Sequence, residues 1–119
     1  MELILFALII KHCIIDLGIQ SHFLWGLTHN KKRYFGCHAH YFHHGLGTLI
    51  VALFFTSPLV ATIAAVIDYI AHWHIDYTKH NTINYLELKR QDKLFWWITV
   101  VDQLLHFLTY YLLVIYLVN

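Results

Sequence analysis

Residues Pro58–Tyr77 read PLVATIAAVIDYIAHWHIDY, and this stretch decides the fold. It is long and apolar enough to cross a hydrocarbon core of about 30 Å, which takes roughly 20 helical residues. Yet Asp68, His72 and Asp76 interrupt it at a spacing of four. Residues i and i+4 share a helix face, so a polar stripe runs down an otherwise lipid-compatible helix. Ala61, Ala64 and Ala65 are small residues that permit close helix packing. Ser57 suits an N-cap and Pro58 a first helical position.

Three further apolar stretches lie outward from it, at Leu3–Leu27, His38–Phe55 and Leu94–Val118. Only Thr56-Ser57-Pro58 separates the second stretch from the third, which predicts an antiparallel hairpin. The expected fold class is all-α, a polytopic membrane protein with a four-transmembrane-helix bundle forming one domain over residues 1–119. Composition points the same way. Of 119 residues, 59% are hydrophobic and 13% charged. A soluble domain this small leaves too much of its area wet to hide that apolar content.

Met1-Glu2 opens with an acid rather than a basic region, and no small-residue cleavage site follows, so the first stretch is expected to be retained. Cys13 and Cys37 form no disulfide framework and no CxxC clip, and they read as reduced thiols. A net charge of +1 without a basic arm argues against a nucleic-acid partner.

Lys31, Lys32 and Arg33 sit in the first loop, and Lys79, Lys89, Arg90 and Lys93 in the third. The positive-inside rule then places loops 28–37 and 78–93 in the cytoplasm and both termini outside, with the chain integral to the cytoplasmic (inner) membrane. Lys11 is the exception, and a span starting near Leu8 would let its amine snorkel outward. Ile83, Leu86 and Leu88 give the third loop an apolar rhythm suited to a short helix in the headgroup region. Trp25, Trp73, Trp96 and Trp97 fit an aromatic belt, with Trp73 alternatively lining the site.

Eleven histidines are the compositional outlier. Every predicted helix carries a polar pair four residues apart: His12 and Asp16, His40 and His44, His72 and Asp76, Asp102 and His106. The first stripe continues to Gln20. Counting about 1.5 Å per residue from the cytoplasmic ends puts Gln20, His44, His72 and Asp102 at similar depths of roughly 8–14 Å. A carboxylate at mid-membrane costs roughly 2.5–3.5 kcal/mol, so Asp16, Asp68, Asp76 and Asp102 left alone would together cost about 10 kcal/mol or more. They must be paired, protonated, hydrated or metal-bound.

Imidazole and carboxylate are ligands for zinc, iron or manganese, and several helices of a bundle can enclose one or two ions. On that reading Asp16, His72, Asp76, Asp102 and His106 are the metal ligands. His12, His40 and His44 complete the shell or shuttle protons, Lys79 attracts an anionic lipid headgroup, and Gln20, Asp68 and Gln103 support the ligands from behind. A proton relay and purely structural Asp–His pairing remain open beside it. His22, His29, His38, His43, His74 and His80 read as interfacial residues. Cys37-His38-x-His40 is a weak candidate for a separate clip.

The pattern His12-x3-Asp16-x3-Gln20, His40-x3-His44, His72-x3-Asp76-x2-Lys79, Asp102-Gln103-x2-His106 resembles the family catalogued as domain of unknown function 3307, over nearly the whole chain. The resemblance implies a small multi-span membrane protein of bacterial or phage type and carries no agreed substrate. Lys11 beside the first histidine and His74 between His72 and Asp76 depart from the simple pattern.

Taken together, the expected function is a metal-dependent membrane hydrolase acting on a lipid or membrane-associated ester or phosphoester. A non-catalytic membrane factor, holin-like or an exclusion protein, is the alternative from another class, and a proton or ion relay is a third. Carboxylates beside each histidine disfavour bis-histidine haem. No P-loop, nucleophile motif or glycine-rich fingerprint supports a kinase, ATPase or dehydrogenase. The bilayer is the expected partner, and a homo-oligomer is compatible with the sequence.

Overall fold

Proline lacks a backbone N–H and is preset for a first helical turn. Pro58 starts a 28-residue helix there, capped by the Ser57 hydroxyl, which accepts from the Val60 N–H at 3.4 Å. The computed structural model describes residues 1–19, 34–36 and 38–118. Among them α1 spans Glu2–Cys13 and runs on as a π-helical turn over Ile14–Ile19; α2 spans His38–Leu53, α3 Pro58–Tyr85 and α4 Lys93–Leu113, the last continuing π-helically over Val114–Val118. The described residues contain no strand.

Glycine sets how closely α2 approaches its neighbours. A Cβ on Gly45 would lie 3.2 Å from the Ala65 carbonyl oxygen and 3.3 Å from the Tyr69 Cβ. On the other side, a Cβ on Gly47 would stand 2.8 Å from Lys11 Cδ and 2.9 Å from Ile15 Cδ1. One helix thereby lies close to α3 and to α1 at once. Ile4 and Leu8 of α1, Ala64 of α3, and Tyr110, Leu113 and Val114 at the end of α4 form a buried apolar cluster. Both ends of the chain and the α2–α3 turn thus share one end of the bundle. Tyr34 and Phe35 pack on Trp73 at the other.

Beside that apolar cluster the interior holds an unusual number of polar side chains, and much of the exterior is apolar. Lys11, His12, His40, His44, Thr48, Asp68, His72, Asp76, Asp102 and His106 are all buried, while Leu17, Phe54, Leu59, Trp97 and Leu104 are among the large apolar side chains left exposed.

Several expectations need correction. Among the described residues two helices, not four, are long and apolar enough by themselves to cross a membrane: Pro58–Tyr85 and Lys93–Val118. α2 stops at Leu53, where residues 54–56 turn, and its 16 residues cover only about 24 Å. The first helix is described only to Ile19, so its expected end at Leu27 lies outside the described residues, as do Gln20, His22, Trp25, His29, the basic run 31–33 and Cys37. No separate short helix follows residue 78. Instead α3 continues to Tyr85, where Leu86, Glu87 and Leu88 bond back to Thr82, Asn84 and Ile83 with Glu87 at a positive φ of 53°. Lys11 does not snorkel. It is buried, because Gly47 leaves its stem room to pass α2 toward Asp68 on α3.

Candidate metal centre

Spacing of four residues on each helix delivers the polar side chains to one interior. α2 contributes His40, His44 and Thr48, α3 contributes Asp68, His72 and Asp76, and α4 contributes Asp102, His106 and Tyr110. α1 contributes Lys11 and His12, with Asp16 following in the π-helical turn. Such local widening of a helix recurs at functional sites.

The imidazoles are tightly grouped. His44 stacks on His72 with centroids 3.6 Å apart, and His72 on His106 at 3.9 Å. His12 lies 4.9–5.4 Å from these three rings. His40 packs edge-on against His44 at 4.6 Å.

Three carboxylates are threaded among them. Asp16 reaches His44 Nε2 at 2.8 Å, His12 Nε2 at 3.0 Å and His40 Nε2 at 3.5 Å. Asp76 reaches His106 Nε2 at 3.0 Å, His40 Nε2 at 3.4 Å and His72 Nε2 at 3.6 Å. Asp102 stands 3.4 Å from His106 Nε2, accepts from Lys79 Nζ at 3.3 Å and from Gln103 Nε2 at 2.9 Å.

Several of these polar atoms have no partner of hydrogen-bonding geometry among the described residues. They are His44 Nδ1, both nitrogens of His72, and Asp102 Oδ1. Buried polar groups are nearly always satisfied, and each exception calls for a cause. Here the orphaned atoms are all donors suited to a divalent cation. Three sets bring one ligand atom per residue within 4.8 Å of the others: His12, Asp16, His44 and His72; His40, His72 and Asp76; and Asp76, Asp102 and His106. They share His72 and Asp76, so the sets are contiguous.

The structure brings together all five residues read as ligands, Asp16, His72, Asp76, Asp102 and His106, and seats His12, His40 and His44 among them. Lys79 touches the centre through Asp102, and Gln103 links His12 Nε2 at 3.2 Å to Asp102. Asp68 plays a different part from the supporting one expected. Its nearest approach to His72 is 4.0 Å, whereas its Oδ2 accepts from Lys11 at 2.8 Å and from Thr48 at 2.5 Å.

Sequence reading missed Lys11, Thr48 and Tyr110 as interior residues. Lys11 Nζ also donates to the His44 carbonyl at 3.2 Å and to the Tyr110 hydroxyl at 3.1 Å, and that hydroxyl lies 2.9 Å from His12 Nδ1. The signal was available, since Thr48 follows His44, and Tyr110 follows His106, by four residues. His38 hydrogen-bonds Tyr69 and packs on Trp73, and His74 Nε2 meets the Tyr34 hydroxyl at 2.9 Å. Neither belongs to the centre, and Trp73 sits in that aromatic group rather than lining it.

No curated protein and no solved structure matches the chain. A family model does match, over residues 4–119, which takes in α1 from its third residue, the other three helices and every residue of the centre. The chain belongs to the family described as protein of unknown function DUF3307.

Proposed function

We propose that this protein is a metal-dependent hydrolase of esters or phosphoesters, built as a four-helix unit within the cytoplasmic membrane. The observation that carries the reading is the convergence of eight His and Asp side chains from four helices on one interior, where His44 Nδ1 and both nitrogens of His72 have no hydrogen-bond partner among the described residues.

Charge supports it. Among the described residues the buried Asp68, Asp76 and Asp102 and the partly buried Asp16 meet two lysines, Lys11 and Lys79, and uncompensated buried carboxylates are strongly unfavourable. One or two divalent ions, zinc, iron or manganese, would neutralise the excess. His12, Asp16 and His44 would hold one, and Asp76, Asp102 and His106 the other, with His40 and His72 between. The bound ions would supply Lewis acidity and lower the pKa of water. In phosphoester hydrolysis the water oxygen bonds to phosphorus as the bond to the leaving oxygen breaks. An imidazole or carboxylate of the centre takes the proton from water and returns it to the leaving oxygen, which departs as an alcohol.

The apolar exterior around a polar core supports the membrane setting, since lipid is a suitable solvent for such a surface. α1 and α2 would then cross a locally thinned or tilted path beside the two longer helices. Loops on the Tyr34 and Glu87 side would face the cytoplasm and both termini the opposite side. A bacterial or phage origin accords with this setting.

Elemental analysis of the detergent-purified protein beside an Asp76→Ala, Asp102→Ala double variant tests the proposal. Near-stoichiometric metal lost in the variant, with chelator-sensitive cleavage of bis(p-nitrophenyl) phosphate by the wild type, is the expected result. A folded wild type without metal would sink it. One observation favours a second reading, a proton relay: the hydrogen-bonded path from His12 through Tyr110 and Lys11 to Asp68. Liposome proton flux without hydrolysis would select that reading.

A further inference from the structure

A cleft of about 480 Å³ lies between α3 and α4, within the roughly 300–1,000 Å³ range of small-molecule sites. Its walls are apolar, among them Ile75, Trp97, Val101 and Leu105, and its lining also includes Lys79 and Asp102. Two other grooves on the described surface, one from Phe42 to Tyr69 and one from Ile67 to Leu117, have no charged residue in their linings. The α3–α4 cleft therefore combines an apolar channel on the lipid-compatible exterior with a direct connection to the metal centre.

We infer that this cleft takes one acyl chain of an anionic membrane phospholipid and sets its phosphate against Lys79. Lys79 has one carboxylate partner, Asp102, and Asp102 is also a member of the Asp76, Asp102 and His106 set. A cation held at Asp102 Oδ1, the oxygen without a hydrogen bond, would share the carboxylate's charge with Lys79 on Oδ2. The ammonium is then left largely buried with its counter-charge shared, and a phosphate arriving through the cleft restores it. Metal and anionic lipid should accordingly bind with positive coupling. Thr82 and Leu94 mark the end of the cleft nearest the α3–α4 connection, and Leu105 the end farther along α4, so the acyl chain would run from beside Lys79 toward Leu105. As a statement of substrate class this rests on the hydrolase reading; as a statement of binding it does not.

The test uses the full chain in detergent, with lipid retention measured by native mass spectrometry against phosphatidylglycerol and phosphatidylcholine, with and without added zinc or manganese. The wild type should retain one phosphatidylglycerol in preference to phosphatidylcholine, more tightly with metal. Lys79→Gln should lose about tenfold in that preference, the effect of removing one charge-assisted bond. Val101→Trp should lose retention while keeping its metal content, which also reports that it folds. Leu46→Trp, in the groove between α2 and α3, should match the wild type. Equal retention of both lipids by the wild type, or unchanged selectivity in Lys79→Gln, would overturn the inference. Selective retention without any hydrolysis would remove the hydrolase reading and leave the cleft assignment standing. Hydrolysis of bis(p-nitrophenyl) phosphate without lipid selectivity would do the reverse.

Discussion

Two polar clusters share the interior, and they are satisfied in different ways. In the first, the three donors of Lys11 Nζ meet three acceptors, on Asp68, Tyr110 and the His44 backbone, while Thr48 donates to the same Asp68 oxygen. In the second, a few ångströms away, His44 and His72 stack at 3.6 Å, and His44 Nδ1 and both nitrogens of His72 have no hydrogen-bond partner among the described residues. A buried charge pair with every donor placed is complete, and such a cluster serves the fold. A cluster of good ligands left incomplete is the feature on which the proposed metal centre rests. The difference separates Asp68, enclosed by Lys11 and Thr48, from Asp16, Asp76 and Asp102, which lie within the histidine cluster.

Breaking the first cluster should have the largest effect on stability. Lys11→Met leaves Asp68 buried without its counter-charge and should cost about 3–5 kcal/mol, measured by thermal unfolding in detergent, with much of the loss recovered in Lys11→Met, Asp68→Leu. If the single variant unfolds no earlier than the wild type, the two clusters do not differ as described.

The second cluster should respond to chelator instead. Metal at a thousandfold excess over its dissociation constant stabilises the folded state by about 4 kcal/mol, so a chelator should lower the wild-type Tm and leave Asp76→Ala, Asp102→Ala unmoved. Lys11→Met should keep a chelator-dependent shift despite its lower starting point. A shift retained by the carboxylate double variant would place the metal elsewhere.

Tyr110 and Gln103 sit on the border between the clusters and sharpen the distinction. Tyr110→Phe removes one acceptor from Lys11 and the partner of His12 Nδ1. It should cost about 1–3 kcal/mol and also weaken metal binding roughly 10–100-fold by loosening His12. Gln103→Ala touches only the second cluster, through His12 and Asp102, and should weaken metal binding by about tenfold with little change in metal-free stability. Competition against a fluorescent zinc chelator measures both. Equal effects of the two variants on metal-free stability would erase the border.

Periodicity made much of this legible. The pairs His12 and Asp16, His40 and His44, His72 and Asp76, Asp102 and His106 are visible as i, i+4 repeats, and a helix has little freedom to place such residues on different faces. The reversal at Ser57-Pro58 is equally local, a matter of one hydroxyl and one missing N–H. Thr48 and Tyr110 extend the same stripes but are not ligand types, so a search for ligands passed over them.

Sequence by itself therefore determined which helix faces are polar, that four of them must be covered together, and which residue types would meet there. Only the tertiary structure decided which carboxylate goes with which cation. Lys11 turns inward because Gly47 lacks the Cβ that would strike its stem, and once inside it takes Asp68 and leaves Asp16 and Asp76 to the histidines, while Asp102 lies between His106 and Lys79. The close approach of helices and the cleft beside Lys79 arise from contacts between residues far apart in the chain. Local periodicity carries no record of such contacts, because it describes one helix at a time and the partners lie on another.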